Sequence, residues 1–227
     1  MSPRRVAGAD LGRSETAPPF FPPAVESKAP FGQLPVTFVG SFPDATRRLE
    51  PRRAEIILLG RSNVGKSSLI NALFGRPLAR VSNTPGRTAL LNAFQLPEFY
   101  LLDVPGYGFA QVDAKEKQRY KGLVQGLLVR RTTITGVLWL LDLRHDPSAD
   151  DRAYGALLAE RGLPVLVALT KADKLPYGQR QKRFRELSAI LGLPEEQIQL
   201  TSSTTGEGMQ ELAASLLALA TMPEATE

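Results

Sequence analysis

Short apolar runs and longer amphipathic stretches alternate along most of the chain, beginning at Glu55. Apolar runs bounded by turn-forming residues read as buried strands, and stretches with apolar residues three and four apart read as helices. On that basis strands span Glu55–Leu59, Ala89–Gln95, Phe99–Asp103, Gly136–Asp142, Leu163–Thr170 and Gln197–Thr201. Helices span Lys66–Phe74, Ala114–Val129, Ala149–Arg161, Gly178–Leu191 and Gly208–Ala220. Strands that cross over through helices predict an α/β fold, a three-layer sandwich around a mostly parallel sheet. The strands flanking Leu96-Pro97-Glu98 are the exception. Their link is too short for a crossover, so they are expected to form an antiparallel hairpin at the sheet's edge.

Ahead of this pattern the chain changes character. Pro18, Pro19, Pro22, Pro23 and Pro30 punctuate a stretch with neither helical nor strand period, which reads as a flexible leader over residues 1–34. A short strand is expected at Val36–Val39, followed by an irregular stretch with Arg47, Arg48, Arg52 and Arg53. One folded domain over residues 35–220 and a tail at 221–227 complete the expectation, consistent with a chain of 227 residues.

Composition narrows the chemistry. There is no cysteine and a single histidine, His145, so disulfides, thiolate metal sites and histidine-rich centres are excluded and any metal must be held by oxygen. The net charge of +5 comes mostly from arginine, whose planar fork suits phosphate and nucleic acid. No apolar stretch approaches the length of a membrane span, and the first residues lack the apolar block of a signal peptide, so a cytoplasmic protein without membrane contact is expected.

The apolar run Ile56–Leu59 leads directly into Gly60-Arg61-Ser62-Asn63-Val64-Gly65-Lys66-Ser67, a complete G-x-x-x-x-G-K-S loop between a strand and a helix. Such a loop wraps phosphates with backbone N–H groups and adds the positive end of the helix dipole. Lys66 is expected between the β- and γ-phosphates, with the Ser67 hydroxyl on Mg²⁺. A second strand ends in Asp103-Val104-Pro105-Gly106. Asp103 is expected to reach Mg²⁺ through water, and Gly106 to offer its N–H to the γ-phosphate.

Thr170-Lys171-Ala172-Asp173 follows a third apolar run. Asp173 can accept from both N1–H and the exocyclic amine of guanine, and adenine offers neither donor in that place. Lys171 is expected along the base, bracing the phosphate loop. Thr201-Ser202-Ser203 ends the last strand, where a backbone N–H would meet the guanine O6; a plain serine-rich loop is the other reading. An ATPase or kinase and a non-catalytic GTP-dependent module are the rival functions, separable by nucleotide titration and single-turnover phosphate release.

With these elements in this order the chain resembles the translation-factor-class P-loop GTPases, with their Ras-like fold. Asn83-Thr84-Pro85-Gly86-Arg87-Thr88, Asp103-Val104-Pro105-Gly106-Tyr107-Gly108-Phe109-Ala110 and Asp142-Leu143-Arg144-His145 narrow the resemblance to the bacterial EngB family, across roughly residues 35–219. That resemblance implies GTP hydrolysis, a role in assembling the large ribosomal subunit through its RNA, and a link to septation and cell division. It places Gly86, Arg87, Thr88, Ala89 and Leu90 at the nucleotide, with Thr88 as the switch-loop Mg²⁺ ligand and Thr84 as second choice. A monomer is expected.

Many small GTPases orient the attacking water with a glutamine after the Asp-x-x-Gly element, and here that position is Tyr107. Slow intrinsic turnover, accelerated by a partner that orders the switch loops, is therefore expected. Asn63 stands where some related GTPases lacking the glutamine bind K⁺, which would supply positive charge beside the phosphates; an asparagine that only braces the loop is the other reading. Lys115, Lys117, Arg119 and Lys121 read either as an RNA contact or as a solvated helix face. Trp139 reads as core and His145 as a loop residue.

Overall fold

The computed structural model describes residues 29–79, 90–108 and 114–222. Within them, seven strands form one sheet: β1 (Thr37–Phe42), β2 (Ala54–Gly60), β3 (Leu91–Gln95), β4 (Phe99–Asp103), β5 (Ile134–Asp142), β6 (Val165–Thr170) and β7 (Ile198–Leu200). The α-helices are α1 (Lys66–Phe74), α2 (Ala114–Arg130), α3 (Ala149–Arg161), α4 (Tyr177–Leu191) and α5 (Met209–Ala220). The strand order is β1-β3-β4-β2-β5-β6-β7. The strands from β4 through β7 run parallel, and β3 is antiparallel to both β4 and β1. The expected hairpin thus forms at the antiparallel end of the sheet, with β1 as one further strand outside it.

The central strands are apolar on both faces because both are covered, as parallel sheets require. In β2, Ile57 and Leu59 join the core under α2, α3 and α4. Ile56 and Leu58, pointing the other way, join the core under α1 and α5. All four are fully buried, and truncating any of them to alanine would cost about 2–5 kcal/mol. Period-two alternation inside an unbroken apolar run therefore serves two cores at once.

Local signals fix the helix ends. Ser148 caps α3: its Oγ accepts from the Asp151 N–H, and Asp151 Oδ2 accepts from the Ser148 N–H at 2.7 Å, a reciprocal capping box. Residues 29–34, assigned to the leader by sequence, pack on the domain. Phe31 is 3% exposed, its N–H donates to Leu73 O at 2.8 Å, and its ring lies against those of Phe74 and Phe99. No helix among the described residues is long and apolar enough to cross a membrane.

Candidate active site

β2 ends at Gly60, and the chain turns back to start α1 at Lys66. Asn63 at φ 62° and Gly65 at φ 111° both lie in the left-handed region, which costs a side chain about 1–2 kcal/mol and glycine almost nothing. Alternating handedness of this kind turns consecutive N–H groups toward one centre, the geometry of an anion nest. The loop is anchored from behind by the buried Thr170, whose Oγ1 lies 2.8 Å from Val64 O and 3.1 Å from Leu141 O and shares its one proton between them.

Lys66 Nζ lies 3.5 Å from Gly60 O. Burial lowers its pKa, and the nearby Asp103 opposes that effect. Asp103 ends β4, paired in register with Leu58 of β2, and is 8% exposed. Burial pushes its carboxyl above the ordinary range, while Lys66 and the Asn92 amide, 3.4 Å from Oδ2, work against the rise. Asp103 Oδ1 has no hydrogen-bond partner among the described residues. A buried, orphaned carboxylate oxygen at the P-loop fits a cation, directly or through water. No group of three or more His, Cys, Asp or Glu side chains able to hold a metal ion exists among the described residues, so the donors that these residues offer such a cation would be Ser67 and Asp103, with water and phosphate beside them. That all-oxygen set suits Mg²⁺.

Gly106 closes this end of the site. A Cβ there would fall 2.8 Å from Ser62 N and 2.9 Å from Lys66 Nζ, so only glycine fits. The next residue bridges to the P-loop: Ser62 N–H donates to Tyr107 O at 2.7 Å, and Tyr107 N–H to Gly60 O at 3.4 Å. The Tyr107 side chain turns away into the core and is 4% exposed. Its hydroxyl accepts from Trp139 Nε1–H at 2.9 Å and donates to Asp151 Oδ1 at 2.7 Å, and its ring stacks on Tyr154 at 4.3 Å. Burial, reinforced by Asp151, holds the phenol far above its usual range, so it stays protonated and serves as a donor.

The base-reading end sits two strands away. Lys171, at φ 62°, follows β6 and reaches back to donate from Nζ to Asn63 O at 2.7 Å. The same Nζ pairs with Asp142 Oδ2 at 3.0 Å. Burial alone would raise the Asp142 carboxyl, but hydrogen bonds from Arg144 and Lys171 hold it well below the ordinary range. Asp173 Oδ1 accepts from Ser202 Oγ at 2.7 Å, the main cause of its lowered pKa, and Lys174 Nζ lies 3.3 Å from Oδ2. Ala172 N–H donates to Thr201 O at 3.1 Å, fastening the two loops together. The N–H groups of Thr201, Ser202, Thr204 and Thr205 are engaged by Leu169 O, Glu207 O and, for the last two, Ser202 Oγ. Among the described residues no hydrogen bond takes up the Ser203 N–H.

The structure therefore brings Gly60–Ser67, Asp103–Gly106, Thr170–Asp173 and Thr201–Ser203 to one end of the sheet, the carboxyl ends of its parallel strands, where ligands of open α/β sheets bind. Leu90 is half-buried just before β3. Gly86, Arg87, Thr88, Ala89 and Thr84 lie outside the described residues, as do Phe109 and Ala110. Lys115, Arg119 and Lys121 are exposed on α2, and His145 lies in the exposed turn after β5. Sequence reasoning did not assign a role to Asp142, which steers Lys171, to Asp151, which holds Tyr107, or to the Ser202 hydroxyl, which orients Asp173. The only available signal was Asp142-Leu143-Arg144-His145, read as a family marker.

A G-x-x-x-x-G-K-S loop between β2 and α1, an aspartate ending β4 and Thr170-Lys171-Ala172-Asp173 after β6 have the arrangement of a P-loop GTPase. A family model described as a 50S ribosome-binding GTPase matches residues 55–171. A probable GTP-binding protein EngB of Gemmatimonas aurantiaca is 46% identical over 75% of this chain and 84% of its own. The corresponding protein of Geobacillus thermodenitrificans is 43% identical over 73% and 86%. A crystal structure of a probable GTP-binding protein engB aligns with a TM-score of 0.61 at 25% identity, covering 73% of this chain and 98% of that one. The Era protein of Aquifex aeolicus shares the fold at 23% identity, with a TM-score of 0.59 over 77% of this chain and 58% of its own. The chain belongs to the EngB family of GTP-binding proteins, and it is a GTPase.

Proposed function

We propose that this GTPase is a cytoplasmic, monomeric switch in assembly of the large ribosomal subunit, and that septation and cell division depend on it through that role. The family description as ribosome-binding supports the partner. The arrangement of Tyr107 supports the switch and carries the reading. In hydrolysis a water attacks the γ-phosphorus in line, the bond to the β–γ bridging oxygen breaks, and negative charge gathers on that oxygen. Lys66 would meet that charge, and the N–H of Gly106 would meet a γ-oxygen. Ser67, Asp103 and Thr88 would hold Mg²⁺, which would supply charge neutralisation at the phosphates.

No glutamine follows the Asp-x-x-Gly element to orient the water. Tyr107 stands in that position, yet its hydroxyl is spent on Trp139 and Asp151 inside the core. Turnover should then be slow until a partner orders the switch loops. K⁺ bound near Asn63 would add positive charge beside the phosphates, and equal hydrolysis rates in Na⁺ and K⁺ buffers would remove that element. The central test is phosphate release with and without large-subunit particles, together with co-sedimentation in GDP and in a non-hydrolysable GTP analogue. We expect faster release with particles and tighter sedimentation with the analogue. Fast hydrolysis in isolation, unchanged by particles, would refute the switch.

A further inference from the structure

The opposite end of the sheet carries a pocket that GTP hydrolysis leaves unused. It encloses about 360 Å³ between the loop joining β1 to β2 and the turn joining α2 to β5, and its lining includes Thr46, Arg48, Arg52, Arg130, Thr132 and Thr133. Residues 44–55 and 130–133 together hold six arginines and no lysine, against Asp44, Glu50 and Glu55.

The arginine-bearing loop is fastened down. Arg131 Nη1 pairs with the buried Glu55 Oε1 at 2.5 Å, its Nε donates to Ala45 O at 3.0 Å, and its Nη2 donates to Arg47 O. Ala45 and Leu49 are buried beneath the loop, and Tyr100 OH donates to Pro51 O at 3.0 Å. A buried ion pair adds little net stability over an apolar pair, so its effect here is geometric: it fixes a basic loop in one shape. Glu55 cancels the charge of Arg131, and the Arg47 guanidinium lies 5.8 Å from the Phe42 ring centroid. Arg48, Arg52 and Arg130 supply the positive charge at the pocket itself, with Asp44 and Glu50 the nearby opposing carboxylates.

The lining chemistry selects the partner. Planar guanidinium forks match the oxygens of a phosphodiester, and the Thr132 and Thr133 hydroxyls offer both donors and acceptors to a sugar or a base edge, while Thr46 Oγ1, which donates to Asp44 Oδ1 at 2.6 Å, offers an acceptor. The volume lies within the range of small-ligand pockets and suits a single nucleotide better than a flat membrane surface. We propose that this pocket takes one nucleotide of a single-stranded RNA segment, with Arg48, Arg52 and Arg130 on its phosphates. The proposal rests on the ribosomal reading for the source of the RNA and assigns the face that meets it. β2 separates this pocket from the P-loop by seven residues, about 20 Å, so RNA and GTP occupy opposite ends at the same time.

The test is fluorescence anisotropy of the full chain, loaded with Mg²⁺ and GDP, against a fluorescein-labelled 12-nucleotide oligouridylate. R48Q/R52Q/R130Q is compared with R161Q/K182Q/R185Q, which removes the same charge elsewhere. The pocket variant should bind about tenfold more weakly, with a slope of log K against log salt shallower by about 2, or roughly 0.7 for each lost phosphate contact. The control should change less than about threefold, and both should keep wild-type GDP affinity, which also reports that they fold. Equal losses in the two variants would overturn the pocket, and so would a 12-residue polyglutamate binding as tightly as the RNA, which would assign the face to an acidic protein. Large-subunit sedimentation is scored separately. Wild-type protein that fails to sediment sinks the ribosomal reading and leaves the oligonucleotide comparison intact, and a pocket variant that sediments like wild type sinks the pocket.

Discussion

Replacing Tyr107 by phenylalanine removes one oxygen atom and leaves the ring stacked on Tyr154. Two buried groups then lose their partner, the Trp139 indole N–H and Asp151 Oδ1. Each orphaned buried group costs about 1–3 kcal/mol. Asp151 Oδ2 still accepts from the Ser148 N–H and hydroxyl, which places the loss at the lower end of that range, about 2–4 kcal/mol in total. For a domain of this size that lowers the melting temperature by roughly 5–15 °C. Urea unfolding reads it directly, because Trp139 is the only tryptophan and sits in the network; circular dichroism provides a second probe. The double variant Y107F/W139F removes one of the two orphans, so its loss should be less than the sum of the single losses by about 1 kcal/mol. Additive losses, or a Y107F loss below about 0.5 kcal/mol, would refute the network. Well below the melting temperature, Y107F should hydrolyse GTP at nearly the wild-type intrinsic rate, because the hydroxyl faces the core. A large drop in rate would show that it reaches the attacking water.

The remaining predictions concern the base-reading end. Asp173→Asn removes an acceptor for two charge-assisted hydrogen bonds, so GDP affinity should fall by roughly 10²–10³ with a gain for xanthine nucleotides, read by competition titration. Ser202→Ala removes the donor that holds the Asp173 carboxyl below its ordinary range. A carboxyl so depressed contributes above its unfolded pKa and loses that contribution as pH falls through the folded value. Wild-type GDP affinity should therefore stay flat from pH 8 to pH 5, while the Ser202→Ala variant starts to lose affinity at a higher pH in a titration series. Thr170→Val leaves Val64 O and Leu141 O without their shared donor, and should cost about 1–3 kcal/mol in urea with an accompanying loss of nucleotide affinity.

How much of this was legible in the chain follows from where each signal lives. The bounds Lys66–Phe74 and Ala149–Arg161 agree with the structure because a P-loop glycine and a capping box mark the starts of those helices and a left-handed glycine follows each. β1 was read as Val36–Val39 and runs from Thr37 to Phe42. Its side chains are largely exposed and a bulge near Gly40 breaks its alternation, so no hydrophobic period marked its length or its place outside the hairpin. Phe31 was lost among prolines for a similar reason: one aromatic has no period, and its partners Phe74 and Phe99 lie far along the chain. Trp139 as core was readable, and so was Tyr107 in the place of the glutamine. The hydrogen bond joining them was not, nor was the pair between Glu55 of β2 and Arg131 in the turn before β5, because both depend on which strands become neighbours.

Thr170 fastens the loop after β2 to the end of β5, and Asp173 stands three residues beyond it. The loop proposed to grip phosphate and the aspartate proposed to read the base thus hang from β2 and β6, with β5 as the spacer between them. Neighbouring strands lie about 4.8 Å apart, so the sheet holds its two reading heads about 10 Å from each other, near the reach of a mononucleotide. Ligand selection by length is therefore built into the spacing of the strands. Backbone hydrogen bonds set that spacing, and side chains such as those of Val137 and Leu138 stand off the faces of the sheet, so repacking deep in β5 should leave the gap between the two loops unchanged.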